Sequence, residues 1–167
     1  GKTTLLRLIN KLVPTLYEGE LKGSVFLDNE DIEKIPMYAL SDRVGSVFQN
    51  PKTQFFNVDT DSEIVFGLEN KGISLQNMKD RLEITCNDLK INDLLHKSIF
   101  KISGGEKQKI AFASVYAINP DIYILDEPSS NLDYESIVEL KQYLSLLKKQ
   151  GKTIIVAEHR LFYLMDL

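Results

Sequence analysis

Ile122-Tyr123-Ile124-Leu125-Asp126-Glu127-Pro128 decides the fold. Four consecutive apolar residues are the mark of a strand in a parallel sheet covered on both faces. A carboxylate stands at the end of that run, where α/β sheets place the groups that meet ligands. Downstream, Ile137, Leu140, Leu144 and Leu147 recur at helical spacing, Lys148-Lys149 follow, and Gly151 ends the helix. Thr153-Ile154-Ile155-Val156 then reads as a second buried strand. Strand, helix and strand in succession predict an α/β sheet.

Upstream, Ser103 opens a helix that is apolar nearly all round (Ile110, Ala111, Phe112, Ala113, Val115), hence buried, and Asn119-Pro120 ends it. From about Thr60 to Leu95 the signals are helical. Thr60 with Glu63 reads as a capping box, and Leu75, Met78, Leu82 and Leu89 mark one face of a further helix. Val44 to Gln49 reads as a strand closed by Asn50-Pro51, and Gly23 to Asn29 as a strand running into a turn. At the start, Leu5, Leu8, Ile9 and Leu12 are spaced for a helix that Pro14 stops. No internal repeat or low-complexity segment is visible.

Composition narrows the class. The 167 residues suit one domain with a sizeable core, and 43% apolar with 26% charged residues is ordinary for a globular protein. A net charge of -4 and a pI near 5.3 argue against a surface built to hold nucleic acid. One cysteine, Cys86, excludes an internal disulfide, reads as a small buried apolar residue and fits a reducing cytosol. No apolar run approaches the ~20 residues that cross a bilayer, and no signal-peptide pattern appears. Both ends look cut: Gly1 opens inside a motif, and Leu167 falls inside an amphipathic stretch (Leu161, Leu164, Met165) without a C-cap.

Several residues carry chemistry. Gly1-Lys2-Thr3 matches the last positions of G-x-x-x-x-G-K-[ST], where a bare backbone, an ammonium and a hydroxyl meet phosphate and Mg²⁺ at a helix N-terminus. Alone it is equally an ordinary helix start. Asp126 can hold Mg²⁺ opposite that hydroxyl. Glu127 follows at once, and because neighbouring strand residues face opposite sides, the two carboxylates are expected to take different tasks, metal and water. A solvated strand end stopped by Pro128 is the bland alternative. Ser103-Gly104-Gly105-Glu106 can be a plain capping box, yet two glycines cost a helix about 1 kcal/mol each. They make sense where phosphate approaches bare backbone. Gln49 and His159 each end a strand and, taken singly, read as structural.

In their order from Gly1 to His159, these pieces resemble the ATP-binding subunit of ABC transporters. Gly1-Lys2-Thr3-Thr4 resembles the end of Walker A, and Val47-Phe48-Gln49 the Q-loop. Ile102-Ser103-Gly104-Gly105-Glu106 resembles the signature, Ile122 to Glu127 Walker B, Ser130-Asn131-Leu132-Asp133 the D-loop, and His159 the switch histidine. The resemblance implies an α/β, P-loop NTPase (RecA-like) core with an inserted helical subdomain, truncated at both ends. The core spans 1–50 and 119–167, and the helical subdomain 51–118. It implies ATP and Mg²⁺. Gly1, Lys2 and Thr4 are expected at phosphate; Thr3, Gln49 and Asp126 at the metal; Glu127 and Gln49 at the attacking water; His159 at the γ-phosphate. Ser103, Gly104 and Gly105 are expected to meet nucleotide on a second, head-to-tail ATPase subunit, with Asp133 linking the two sites. Ile102 and Glu106 depart from the usual leucine and glutamine, and the adenine-stacking aromatic would lie upstream of Gly1.

A narrower likeness is to the ATPases of energy-coupling factor importers. Phe48-Gln49-Asn50-Pro51, Gln54-Phe55-Phe56, Glu63 to Asn70, Gly104 to Gln108 and Ala157-Glu158-His159-Arg160-Leu161 carry it. It implies a membrane-embedded coupling subunit, a substrate-binding membrane subunit, no nucleic acid, and a peripheral place on the cytoplasmic face of the membrane. Two other readings stand beside it: a soluble ABC ATPase acting on ribosomes or DNA, which the acidic balance disfavours, and a non-hydrolysing switch, which Glu127 disfavours.

Overall fold

A computed structural model describes residues 1–17, 21–50 and 54–165. In chain order these form α1 (Lys2–Ile9), α2 (Leu12–Thr15), β1 (Phe26–Leu27), β2 (Glu30–Asp31), α3 (Met37–Arg43) and β3 (Val44–Val47). There follow α4 (Thr60–Asn70), α5 (Leu75–Leu89), α6 (Gly104–Ile118), β4 (Ile122–Asp126), α7 (Tyr134–Lys149) and β5 (Thr153–Ala157). Pro51, read as the stop after the third strand, and Leu167 lie outside the described residues.

β3, β4 and β5 pair in that order and all parallel, with Val47 opposite Leu125 and Leu125 opposite Val156. The two-residue period of a strand separates their side chains into two cores. Tyr123, Leu125 and Val47 face α6 and α7, together with Ile154 and Val156. Ile124, Val44 and Ala157 face α1 and α3, meeting Leu6 and Leu40. The apolar run that decided the fold is therefore covered on both sides, as its composition predicts. β5, like β3, is an outer strand of this sheet among the described residues, and Ile154 to Val156 are only half-buried rather than enclosed. Gly45 lets α6 lie close on β3, because a methyl there would overlap Val115 Cγ1 and come within 2.8 Å of Pro120 Cγ.

Three local readings need correction. α1 ends at Ile9, ahead of Pro14, because Lys11 turns left-handed at φ 59° and its ammonium ties down the carbonyls of Glu33 and Ile35 at 2.9 and 2.8 Å. Thr60 and Glu63 form no capping box. Asp59 caps α4 by accepting from Ser62 N at 2.9 Å, and Thr60 donates to Leu94 O at 2.7 Å. Glu63, only 2% exposed, accepts instead from the amides of Phe56 and Asn57 and from Asn57 Nδ2. Leu75 opens α5 but stays exposed, while Met78, Leu82 and Leu89 pack inward. The Ser103–Glu106 box does form, with Ser103 N donating to Glu106 Oε2 at 2.7 Å and Glu106 N to Ser103 Oγ at 3.2 Å. Cys86 is fully buried, and burial, helped by Asp61, pushes its thiol up to about 11.

Candidate functional site

Parallel strands deliver whatever follows them to one edge of the sheet. Here that edge receives Gln49 after β3, Asp126 and Glu127 at the tip of β4, and His159 after β5. The first turn of α1 reaches the same edge, since Thr3 Oγ1 donates to Asp126 Oδ1 at 3.3 Å. Its free N–H groups and dipole make that turn favourable to anions. Asp126 is 8% exposed and is the last residue of its strand.

Glu127 leaves the strand at once. Its φ is +46°, a left-handed conformation that costs a non-glycine residue about 1 kcal/mol or more. Its amide donates to Ala157 O at 2.7 Å, and its carbonyl accepts from Ser130 N at 3.1 Å, so both neighbouring turns hold it there. Glu127 therefore faces the same edge as Asp126, and the expectation drawn from strand alternation does not apply. The two carboxylates nevertheless have different partners. Asp126 takes the Thr3 hydroxyl, whereas Glu127 takes the Gln49 amide on Oε2 at 3.1 Å and lies 3.1 Å from His159 Nε2 through Oε1.

Lys2 Nζ completes the line, 2.7 Å from His159 Nε2 and 3.2 Å from Nδ1. One ring nitrogen cannot both accept from an ammonium and donate to a carboxylate. Lys2 and Glu127 thus compete for Nε2, and Nδ1 is the second ring nitrogen within reach of the ammonium. The result is a continuous polar chain Lys2–His159–Glu127–Gln49, with Thr3–Asp126 beside it. A cavity of about 510 Å³ opens next to it, lined by Thr3, Gln49 and Asp126 and flanked by Arg7, whose guanidinium lies 4.2 Å from the Tyr17 ring centroid. Thr4 sits on the same first turn, its hydroxyl 3.3 Å from the Gly1 nitrogen.

The donor set fits Mg²⁺ rather than a metal caged by protein. Among the described residues no group of three or more His, Cys, Asp or Glu side chains could hold an ion. One hydroxyl and one carboxylate are what Mg²⁺ takes from a protein when phosphate oxygens and water supply the rest.

The remaining predicted residues form a second place. Ser103, Gly104 and Gly105 open α6, and Asp133 caps α7 by accepting from Ser136 N at 2.9 Å. The two helix starts are neighbours, because a methyl on Gly105 would come within 2.8 Å of Ser136 Oγ. A methyl on Gly104 meets nothing within 4 Å. The Ser103 amide holds Glu106, and the Ser136 hydroxyl and amide hold Asp133, below the ordinary carboxylate range. None of these four lines the 510 Å³ cavity or shares a described hydrogen bond with the first group. The structure thus divides the predicted residues into two sets.

Sequence reasoning passed over Glu158, the residue before His159, which accepts five hydrogen bonds. A carboxylate adjacent to a site histidine was the only signal available for it.

A family model described as ABC transporter matches residues 1–130. A Treponema denticola protein named as an ABC transporter ATP-binding protein is 60% identical over all 167 residues, which make up 34% of that relative. A second from the same organism is 44% identical over the same span, again 34% of its length, so the chain covers about a third of these relatives. Among solved structures, cbiO1 of Clostridium perfringens, titled as part of the ABC transporter complex cbiONQ, superposes with a TM-score of 0.83. It is 28% identical, over 96% of this chain and 63% of that one. The ATP-binding cassette MJ0796, solved as a dimer in a post-hydrolysis state with ADP and Pi, matches in fold at a TM-score of 0.82 and 24% identity, over 98% and 72%. With the P-loop α/β architecture, the ordered motifs and a matching model over most of its length, the chain belongs to the ABC transporter family as one of its ATP-binding domains.

Proposed function

We propose that this domain hydrolyses ATP to drive solute uptake through a membrane partner, as the ATPase of an energy-coupling factor importer. The convergence at one sheet edge carries the proposal: Thr3 on Asp126 at 3.3 Å, and Gln49, Glu127 and His159 joined in one chain beside the start of α1. Lys2, Thr4 and the Gly1 backbone bind phosphate oxygens. Thr3, Asp126 and Gln49 hold Mg²⁺, which when bound neutralises charge developing on the transferred phosphoryl group. Glu127 orients and polarises the attacking water through the carboxylate that Gln49 and His159 fix. With Lys2 drawn to phosphate, His159 meets the γ-phosphate from its place beside Glu127. Ser103, Gly104, Gly105 and Asp133 neither line the cavity nor bond to this set, which supports their use on nucleotide held by a second, head-to-tail subunit. On this reading residues 51–118 act as a helical subdomain that moves against the core formed by 1–50 and 119–167.

The importer assignment rests on the sequence stretches around Gln49, Glu63 and His159 and on the likeness to cbiO1. A groove of about 380 Å³ between α3, β3, α4 and α6 supports a membrane-embedded coupling subunit as partner. Its aromatic wall includes Phe56, 76% exposed and stacked on Phe66 at 5.0 Å. No helix among the described residues is long and apolar enough to cross a membrane; on this reading the domain sits at the cytoplasmic face, beside that partner.

In the full-length protein, Glu127→Gln is expected to leave ATP binding intact and to lower steady-state turnover by ~10²-fold or more, the contribution of a positioned base. A turnover within twofold of wild type would reject the role given to Glu127.

A further inference from the structure

The turn after β4 and the turn after β5 are joined by one side chain. Glu158 Oε2 accepts from Ser129 Oγ at 2.7 Å, from Ser129 N at 3.3 Å and from Tyr163 OH at 2.9 Å. Its Oε1 accepts from the amides of His159 at 2.7 Å and Arg160 at 3.1 Å. Ser129 is fully buried and lies two residues past Glu127. Arg160 Nη1 adds longer bonds to the carbonyls of Ser129 and Leu132, at 3.3 and 3.4 Å. Burial alone would raise the Glu158 carboxyl, but its hydrogen bonds from Ser129, Arg160, His159 and Tyr163 together hold it below the ordinary glutamate value. A surface glutamate collects no such set. Five donors converging on one carboxylate fix it, and with it the two chain segments that supply them.

We propose that Glu158 is a positioning residue for hydrolysis: it clasps the turn of Glu127 to the turn of His159 and so sets the 3.1 Å approach of the imidazole to the Glu127 carboxylate. Glu127 sits in a left-handed conformation held from both sides, and the His159 side chain is 71% exposed. Without the clasp, the described bonds left between the two segments are Glu127 N to Ala157 O, the Arg160 contacts and the His159–Glu127 contact that the clasp is proposed to set. The proposal rests on the ATPase reading above.

The test uses the full-length protein and compares wild type, Glu158→Ala, Glu158→Gln, His159→Ala and the Glu158→Ala/His159→Ala double variant, with Glu127→Gln as reference. Glu158→Ala should lower kcat by about 10- to 100-fold, the cost of a small misplacement at a reacting centre, with KM for ATP changed less than threefold. Glu158→Gln keeps one acceptor oxygen and should recover part of the loss. Since Glu158 acts through His159, its removal should cost less than twofold more once His159 is alanine. Should Glu158→Ala fail to fold, Ser129→Ala and Tyr163→Phe each remove one bond and should each lower kcat about two- to fivefold, again only while His159 is present. Unchanged kcat in the folded variants, or full additivity with His159→Ala, overturns the clasp. Absence of turnover in wild type and Glu127→Gln alike would instead overturn the ATPase reading and, with it, the proposal.

Discussion

The edge around Asp126 and the pair of helix starts around Ser103 and Asp133 both hold motif residues but are built in opposite ways. At the first, side chains from α1 and from the ends of three strands bond to one another across most of the sequence, as Lys2 does to His159. At the second, every described bond of Ser103 and Asp133 is local, to residues three or four positions along. The first set is a centre assembled by the fold. The second is two well-capped helices with a bare glycine facing open space, which on the proposed reading serves nucleotide held by another subunit.

Substitutions that separate stability from turnover sharpen that contrast. Asp126→Asn keeps an acceptor for Thr3 and should leave the melting temperature nearly unchanged, while turnover falls about 10²-fold or more and is not restored by raising Mg²⁺. A loss of fold instead would make Asp126 a structural residue. Gly104→Ala should also leave stability within ~0.5 kcal/mol, since the added methyl meets nothing, yet lower turnover about tenfold by obstructing phosphate at the backbone. Normal turnover in that variant would break the contrast, leaving the second place merely a pair of helix caps.

The smallest effect is in acid. Glu106, Asp133 and Glu158 all have carboxyls lowered in the folded chain, so they bind protons more weakly there than in the unfolded chain. Their stabilisation is complete above the ordinary values of 4.5 for Glu and 3.8 for Asp, and is lost as pH falls through the lower folded values. Urea midpoints should therefore stay flat in these groups from pH 7 to about 5 and decline below. Glu106→Gln should remove its own share of that decline, and an unchanged acid limb would refute the link between the capping box and stability.

How much of this the sequence revealed depended on the range of the interaction. The strand at Ile122, the buried helix after Ser103 and its capping box were legible because period and cap lie within a few residues of each other. The motif order then pointed to both sets of site residues, although nothing in the chain between Thr3 and Asp126 says that they touch. Glu63 was misread because the same spacing that suits a capping box also suits a buried carboxylate serving the Phe56–Asn57 amides, and Asp59 had already taken the cap. Glu158 was missed because its partner Ser129 lies 29 positions away and serine at that place signals nothing by itself.

The left-handed turn at Glu127 has a practical consequence for anyone who would replace that residue. Asparagine, aspartate and glycine tolerate such a backbone, whereas valine, isoleucine and threonine resist it, quite apart from any chemistry they lack. A panel of substitutions there will rank partly by how willingly each residue bends the chain. Glutamine, matching glutamate in shape and flexibility, reports most directly on the missing charge, and a β-branched variant that loses activity will have lost it for two reasons at once.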